Sequence, residues 1–522
     1  MLKKIKLYAG TIRYLKPGQI FWRIGKHFGL PCSVKGVSPS KRYSHIQKIA
    51  VPELDNDPVF LKRFSVEDLM NDQVTFLYEK EDFCWEGCWH VDGRSPLWNF
   101  NLHYFEYLRP LTARYIDTGE ERYLNKTRQM IRGWISQNSN QYGEGWSAYT
   151  ISLRLTNWMS YASEVGEYLD ASFRQELEAS IHEQYIYLSK HLEKDILGNH
   201  YFENLKALVL CALFFGEKDA VSVYLQTFCK ECQEEILPDG MHFELSPMYH
   251  KVVLEGLLRV AIVLREVKEP NASLERLVQA MLDAIYSMEH GLSRTPLFND
   301  SGDNVAKSLK SLMDAAKNHL GIVPVQKQAL VQSGYYFFES GPWRLIVDAG
   351  DAGPRYIPGH SHCDAMSFEL FHKGEPFLVN CGTYAYQCAE RNYFRSTESH
   401  NTVQVRGVEQ SEIWGIFRLA RRSGTLVLHV WNNGIQMEMT DYKGNRICRE
   451  IRLNEDSLSI KDCSEGNSLQ SHLHSIKEIK IDSNAHISCS EVSYAPEYGK
   501  LQMIHKVTAT DKDKVELTVS LR

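Results

Sequence analysis

Four segments bring together the side chains able to move protons or hold an anion. The first is Gly198-Asn199-His200-Tyr201-Phe202-Glu203-Asn204, which runs into an apolar helical stretch. His200 and Glu203 share one face of the first turn of such a helix, where free backbone N–H groups favour an anion. Asn199 reads equally well as the N-cap of that helix. In EILPDGMHFELSPMYH, Pro238-Asp239-Gly240 reads as a turn, 241–245 as a short extended piece, and Ser246 as the cap of a helix opened by Pro247. Tyr249 then falls in the first helical turn, close to a positive helix end that favours the phenolate; half-buried packing is its plain alternative.

The third segment is Pro358-Gly359-His360-Ser361-His362-Cys363-Asp364, ahead of AMSFELF. Extended backbone puts both imidazoles on one side, where they could share an ion, whereas a turn at Pro358-Gly359 sends them apart into separate roles. Spacing alone leaves both open. The fourth segment runs from Arg391 to Thr402, RNYFRSTESHNT, and its two Arg and one Tyr suit a carboxylate ligand, although a polar run before a strand is also an ordinary loop.

Two kinds of element must position these groups. From about residue 100 to 320 the apolar pattern has the helical period in run after run, as in YLNKTRQMIRGWI, ENLKALVLCALFFG and KVVLEGLLRVAIVL. Helices of similar length joined by short polar loops bury their faces against one another, so this part reads as all-α. Beyond about residue 333 the period becomes two, in YYFFES, RLIVDAG, SFELFH, TLVLHVW, CREIRL and VELTVSL, with turn signals between them. That spacing predicts an antiparallel β-sandwich. The division is a basic lead-in over 1–75, a helical domain over 76–325 and a β-domain over 326–522, the boundary falling near GIVPVQKQALVQSG.

With 522 residues, 43% of them hydrophobic and no excess of Gly or Pro, the chain excludes disordered, collagenous and low-complexity classes. No apolar run is long enough to span a membrane, and Lys6, Arg13 and Lys16 interrupt any signal-peptide core. Twelve scattered cysteines, with a lone C-x-x-C at Cys229 and Cys232, are expected to be reduced and are weak evidence for zinc. The expected setting is cytoplasmic and membrane-peripheral, with a periplasmic location as the alternative.

The net charge of −6 is unevenly placed: residues 1–50 hold eleven Lys or Arg and no Asp or Glu, leaving 48 basic against 65 acidic groups in the remainder. One reading is a solvated basic edge packed on an acidic body; the other, with Tyr8, Tyr14, Phe21 and Trp22 among the cations, is contact with an anionic polymer or membrane. Nucleic acid is not expected, because the remainder repels it.

GNHYFENLKAL, FELSPMYH, PGHSHCDAMSFELF, FLVNCGTYAY and RNYFRSTESHNTV, in this order, resemble the heparinase II/III-like polysaccharide lyases and the related alginate lyases. The resemblance implies an incomplete (α/α) toroid followed by an antiparallel β-sandwich, acting on an acidic, uronic-acid polysaccharide by β-elimination. It implies Asn199 as neutraliser of the uronate, helped by Glu203 when protonated, and Tyr249 as the acid at the leaving oxygen, with the base role open to it as well. His360 or His200 is the other proton acceptor, according to which epimer presents its C5 hydrogen. Tyr384, Tyr393 and Arg395 are implied as substrate contacts. His362 and His400 resemble two ligands of a structural zinc, with Asn380 at the third position, where the family commonly has Asp. Asn is neutral and a weaker zinc ligand than a carboxylate.

The alternative on the same scaffold is a non-catalytic or biosynthetic protein of bacterial surface or capsular polysaccharide production. Hydrolysis by a carboxylate pair is a third reading, but no Asp/Glu pair stands out as the Asn, His and Tyr set does. Trp98, Asn99, Asn101, His103, Tyr104 and Trp146 could line a sugar cleft or pack between helices. The oligomeric state is not legible.

Overall fold

The computed structural model describes residues 2–43 and 46–521; Met1, Ser44, His45 and Arg522, and with them part of the basic lead-in, lie outside the described residues. The helical part contains long helices at Glu121–Gln137, Ala148–Val165, Ala171–Leu188, Asn199–Phe214, Lys218–Glu235, Pro247–Glu266 and Ala272–Glu289. These contain or overlap the runs with helical period. They pack as successive neighbours into an incomplete helical toroid, in contact along Ala148–Val165 with Asn199–Phe214 and along Asn199–Phe214 with Pro247–Glu266.

The Asn199–Phe214 helix is buried on every side, only His200 keeping partial exposure. A helix apolar almost all round can lie only in the middle of such a body. The Pro247–Glu266 helix starts where its sequence says it should. Ser246 Oγ accepts the Tyr249 backbone N–H at 3.2 Å and Pro247 occupies the first turn.

Helix ends at Leu320 and the first strand of the β-domain begins at Ala329. Among the described residues the β-domain is an antiparallel network of thirteen strands beside a separate two-stranded hairpin, Ile413–Trp414 with Arg418–Leu419. Alternation sorts its faces: Arg446–Leu453 alternates between outward residues and buried Ile447, Arg449, Ile451 and Leu453. Leu345, Phe368, Leu370, Ile435, Met437, Leu458 and Leu473 fill the core between its layers. Two strands longer than the sequence runs tie the layers together, Ser457–Ser475 and Lys500–Ser520, paired from Ser457↔Ser520 to Ser475↔His505 with a register break between Cys463 and Ser468.

The lead-in opens with two helices, Leu2–Ile12 and Pro17–His27, docked on the body, and continues through three short helices, Pro52–Asp55, Pro58–Leu61 and Val66–Met70. Gly10 lies against Ala420, and Trp414 Nε1 donates to Thr11 Oγ1 at 3.0 Å. Gln19 Nε2 donates to the carbonyl of Tyr356 at 3.3 Å. Among the described residues no helix is long and apolar enough to cross a membrane.

Candidate active site

A cleft of about 1090 Å³ opens where the helical body meets the β-domain. Asn199, His200, Glu203, Glu244 and Tyr249 reach it from the helical side, and His360, Tyr386, Phe417 and Tyr498 from the other.

Asn199 does not cap its helix. Gly198 does, at φ +58°, ψ −149°, a conformation essentially confined to glycine, and a Cβ there would fall 2.4 Å from Glu244 Oε1. Asn199 is thereby free to turn its amide into the cleft, where Nδ2 donates to Glu244 Oε2 at 2.9 Å and lies 3.3 Å from His360 Nε2. Leu197, Leu245 and Asn299 also have positive φ. Left-handed backbone thus adjoins or nearly adjoins each of Asn199, Glu244 and Asp300, and bulky Leu adopts it only where the surroundings enforce it.

His360 Nδ1 lies 3.0 Å from Asp300 Oδ2 and His362 Nε2 lies 2.8 Å from Asp300 Oδ1. The H-x-H pair therefore shares one carboxylate, each ring bonding a different oxygen, which leaves the two imidazoles to separate roles. Burial alone would raise Asp300; the Arg391 guanidinium, gripping both its oxygens, and the two imidazoles hold it well below the carboxylate range. An ionised Asp300 accepts, so His360 carries its proton on Nδ1 and presents a bare Nε2 to the cleft.

The Tyr249 ring lies 4.0 Å from that of His360, centroid to centroid, and its hydroxyl is 2.6 Å from Tyr386, which is 2.8 Å from Tyr498. Burial pushes the Tyr249 phenol well above its ordinary value, the Tyr386 hydrogen bond offsetting only part. The expected phenolate at a positive helix end is therefore corrected: desolvation outweighs the helix end and keeps the phenol protonated. His200 Nδ1 sits 3.2 Å from Glu193 Oε1 under the Tyr149 ring. Burial opposes its imidazolium, but the Glu193 carboxylate outweighs burial and raises its pKa. Burial lifts Glu203 as well, against the Lys206 ammonium bonded to it.

Residues 50–328 match the model of the heparinase II/III N-terminus, and residues 323–515 that of the heparinase II/III-like C-terminal region. The chain belongs to the heparinase II/III-like family. This heparinase II/III-like chain is 26% identical over 368 residues to a heparin-sulfate lyase of Pedobacter heparinus, covering 62% of this chain and 54% of that protein. It is 22% identical over 413 residues to a heparin-sulfate lyase of Bacteroides thetaiotaomicron, covering 66% and 57%. The chain thus spans little more than half the length of these curated relatives. Among solved structures, a heparinase III aligns over 97% of this chain and 92% of its own, at 16% identity and TM-score 0.68. Heparan sulfate lyase HepC from Pedobacter heparinus aligns over 96% and 87%, at 19% identity and TM-score 0.55. These likenesses show the shared fold, a helical toroid followed by a β-domain.

Three expected substrate contacts of this family member lie away from the cleft lining. Arg395 is fully buried and donates to the carbonyls of Ser361, Gly415 and Ile416 at 3.0–3.1 Å. Tyr393 places its hydroxyl 3.4 Å from Cys381 Sγ and 3.3 Å from the Ser493 carbonyl, and Tyr384 packs in the same apolar cluster. The segment that carries Arg395 and Tyr393 coils back into the β-domain, where Arg395 spends its donors on loop carbonyls and both tyrosines pack on an apolar cluster. Of that set, Asn101 and Tyr104 line the cleft, while Trp98 is buried against the hairpin strands Gln73–Phe76 and Glu79–Asp82 and Trp146 is buried beside Trp134 and Tyr187.

Asp300, Glu244, Tyr386 and Tyr498 are the site residues that sequence reasoning did not assign, and Arg391, expected to suit a ligand's carboxylate, grips that of Asp300. Nothing in the run LFNDSGDN at 297–304 marks Asp300 as the partner of histidines some sixty residues later, and nothing marks which tyrosine of a β-domain faces a helical one.

His362 Nδ1 and His400 Nε2 lie 3.2 Å apart, and with Asp364 they form a group whose ligand atoms are all within 4.8 Å of one another. Asn380, expected as third ligand, accepts the Asn401 N–H at 3.1 Å through Oδ1. Asp364 stands where a carboxylate is needed. The set fits a zinc ion: two imidazoles and a carboxylate, with His362 anchored through its other nitrogen to Asp300, the usual outer partner of a ligating histidine.

Proposed function

We propose that this protein is a polysaccharide lyase that cleaves a uronic-acid-containing polysaccharide by β-elimination, with sulfated glycosaminoglycans of the heparan type as the first substrates to try. The observation that carries the reading is the pairing, across one cleft, of an Asp300-oriented His360 with a protonated Tyr249, 4.0 Å apart, beside the Asn199 amide.

The roles follow from the protonation states. The uronate carboxylate meets the Asn199 N–H and the His200 ring, whose protonated form the Glu193 carboxylate favours, and these stabilise the charge that spreads into it as C5 loses its proton. His360 Nε2 accepts that proton; the C5–H electron pair becomes the C4–C5 double bond and the C4–O4 bond breaks. Tyr249 gives its proton to the departing O4. For the C5 epimer whose hydrogen faces the tyrosine, Tyr249 must act on both atoms, the Tyr386 and Tyr498 hydroxyls stabilising its transient phenolate.

The same reading includes a structural zinc held by His362, Asp364 and His400. Such an ion supplies a cross-link between the segment that carries His360 and the turn at His400, and takes no part in proton transfer.

Incubation with heparan sulfate, chondroitin sulfate, hyaluronan and alginate, read by the ultraviolet absorbance of a 4,5-unsaturated uronate, tests the function. Absence of that chromophore with every uronic-acid polymer offered would overturn it.

A further inference from the structure

The Pro17–His27 helix is inside out. Its buried residues are Gln19 and Gly25, whereas Phe21 is 58% exposed, Ile24 55% and Phe28, at its C-cap, 75%. Ile20, Ile24 and Phe28 recur at i, i+4 and i+8, with Phe21 seven before Phe28, so they form one outward stripe. Helix Leu2–Ile12 repeats the arrangement, with Ile5 and Ile12 exposed at i and i+7. A helix docked on a globular body ordinarily turns such a stripe inward. These two turn it to solvent, among exposed Lys4, Lys6, Arg13, Lys26 and His27.

We propose that residues 4–30 form a docking surface for an anionic lipid bilayer. Apolar side chains on one face with cations around them are what an interfacial helix needs: the stripe enters the acyl boundary and the cations meet the headgroups. Charge decides between occupants. Residues 1–50 contain no Asp or Glu, so two copies of this chain meeting on this face would bring cations against cations. An anionic surface has the complementary sign, and the acidic remainder of the chain orients the lead-in toward it.

The surface adjoins the cleft. Gln19 Nε2 donates to the carbonyls of Ile196 and Tyr356, Arg23 donates to that of Asp195 at 3.2 Å, and Arg23, Ile196 and Ile357 all line the cleft. Docking therefore holds the cleft beside the bilayer and directs the protein to glycans attached to, or lying along, a membrane. The docking itself is independent of the lyase reading.

Flotation of the full chain with vesicles tests it. Phosphatidylcholine vesicles containing phosphatidylglycerol should carry the protein up the gradient, phosphatidylcholine alone should not, and raising salt several-fold should release it as screening shortens. Phe21→Ser/Ile24→Ser/Phe28→Ser should lower vesicle binding about tenfold or more with an unchanged melting temperature, because these side chains touch little of the body. Lys4→Glu/Lys6→Glu, which leaves the stripe intact, should weaken binding to the anionic vesicles as well. The proposal fails if the parent does not float with anionic vesicles, if both variants float as the parent does, or if light scattering shows a dimer that the triple substitution dissolves without any vesicle binding.

Discussion

Asp300 holds Nδ1 of His360 at 3.0 Å while Arg391 grips the same carboxylate from the other side. This arrangement fixes both the tautomer and the direction of the imidazole, which makes Asp300 a positioning residue in the proposed reaction.

Asp300→Asn should therefore lower kcat by about a hundredfold or more, because the amide can bind the wrong tautomer as readily as the right one. KM should change far less. The split between kcat and KM, with a melting curve to confirm folding, separates positioning from a merely structural role.

Tyr249→Phe removes the only atom assigned to protonate O4 and should lower kcat by about 10²–10⁴-fold. Tyr386→Phe leaves the phenol in place and should have a smaller effect. Steady-state kinetics of the ultraviolet product distinguishes them; equal losses would show that the hydroxyl pair acts as one unit.

Lys307 lines the cleft with its ammonium over the Phe60 ring, and burial depresses its pKa to about 8 against the opposing pull of Glu255 and Glu106. It is a cation below that pH, so KM for an anionic polymer should rise as pH increases through about 8, and Lys307→Met should abolish the rise. The sign for stability is the reverse. A depressed lysine binds fewer protons folded than unfolded, so its penalty is full below about 8 and vanishes towards the ordinary value of 10.5. Lys307→Met should accordingly raise Tm at pH 7 while weakening binding.

Arg395→Met should remove a fully buried guanidinium that ties the carbonyls of Ser361, Gly415 and Ile416 together, and lower stability by about 1–3 kcal/mol. Denaturant unfolding measures the loss. The folded fraction should keep the parent KM, since the guanidinium does not reach the cleft.

Elemental analysis of the purified protein should find about one zinc per chain, removed by Asp364→Ala or His400→Ala and retained in Asn380→Ala. Chelation should lower Tm of the parent and leave that of Asp364→Ala unchanged. Loss of metal in Asn380→Ala with retention in Asp364→Ala would restore Asn380 as the ligand.

Much of the architecture was legible because periodicity is a local property. The 3.6-residue pattern of 251–264 and the alternation of 448–453 declare what each segment buries, whatever it packs against. The caps were local too, which is why Ser246 and Pro247 placed Tyr249 correctly. The full lengths of strands Ser457–Ser475 and Lys500–Ser520 are not legible locally, since their polar centres pair across the sheet at a register no single segment reveals.

The side chains with chemistry were mostly visible from their types and neighbours, and Asn199, His200, Tyr249 and His360 do converge on one cleft. What each could do there was not. Whether His360 and His362 point together or apart depended on Asp300, some sixty residues earlier; whether Arg395 binds a ligand or a loop depended on Gly415 and Ile416; whether Tyr249 keeps its proton depended on how deeply two domains bury it. Residue type and spacing are carried by the chain itself. Tautomer, protonation state and the direction of a long side chain are set by desolvation and by partners distant in sequence, and only the folded molecule supplies those.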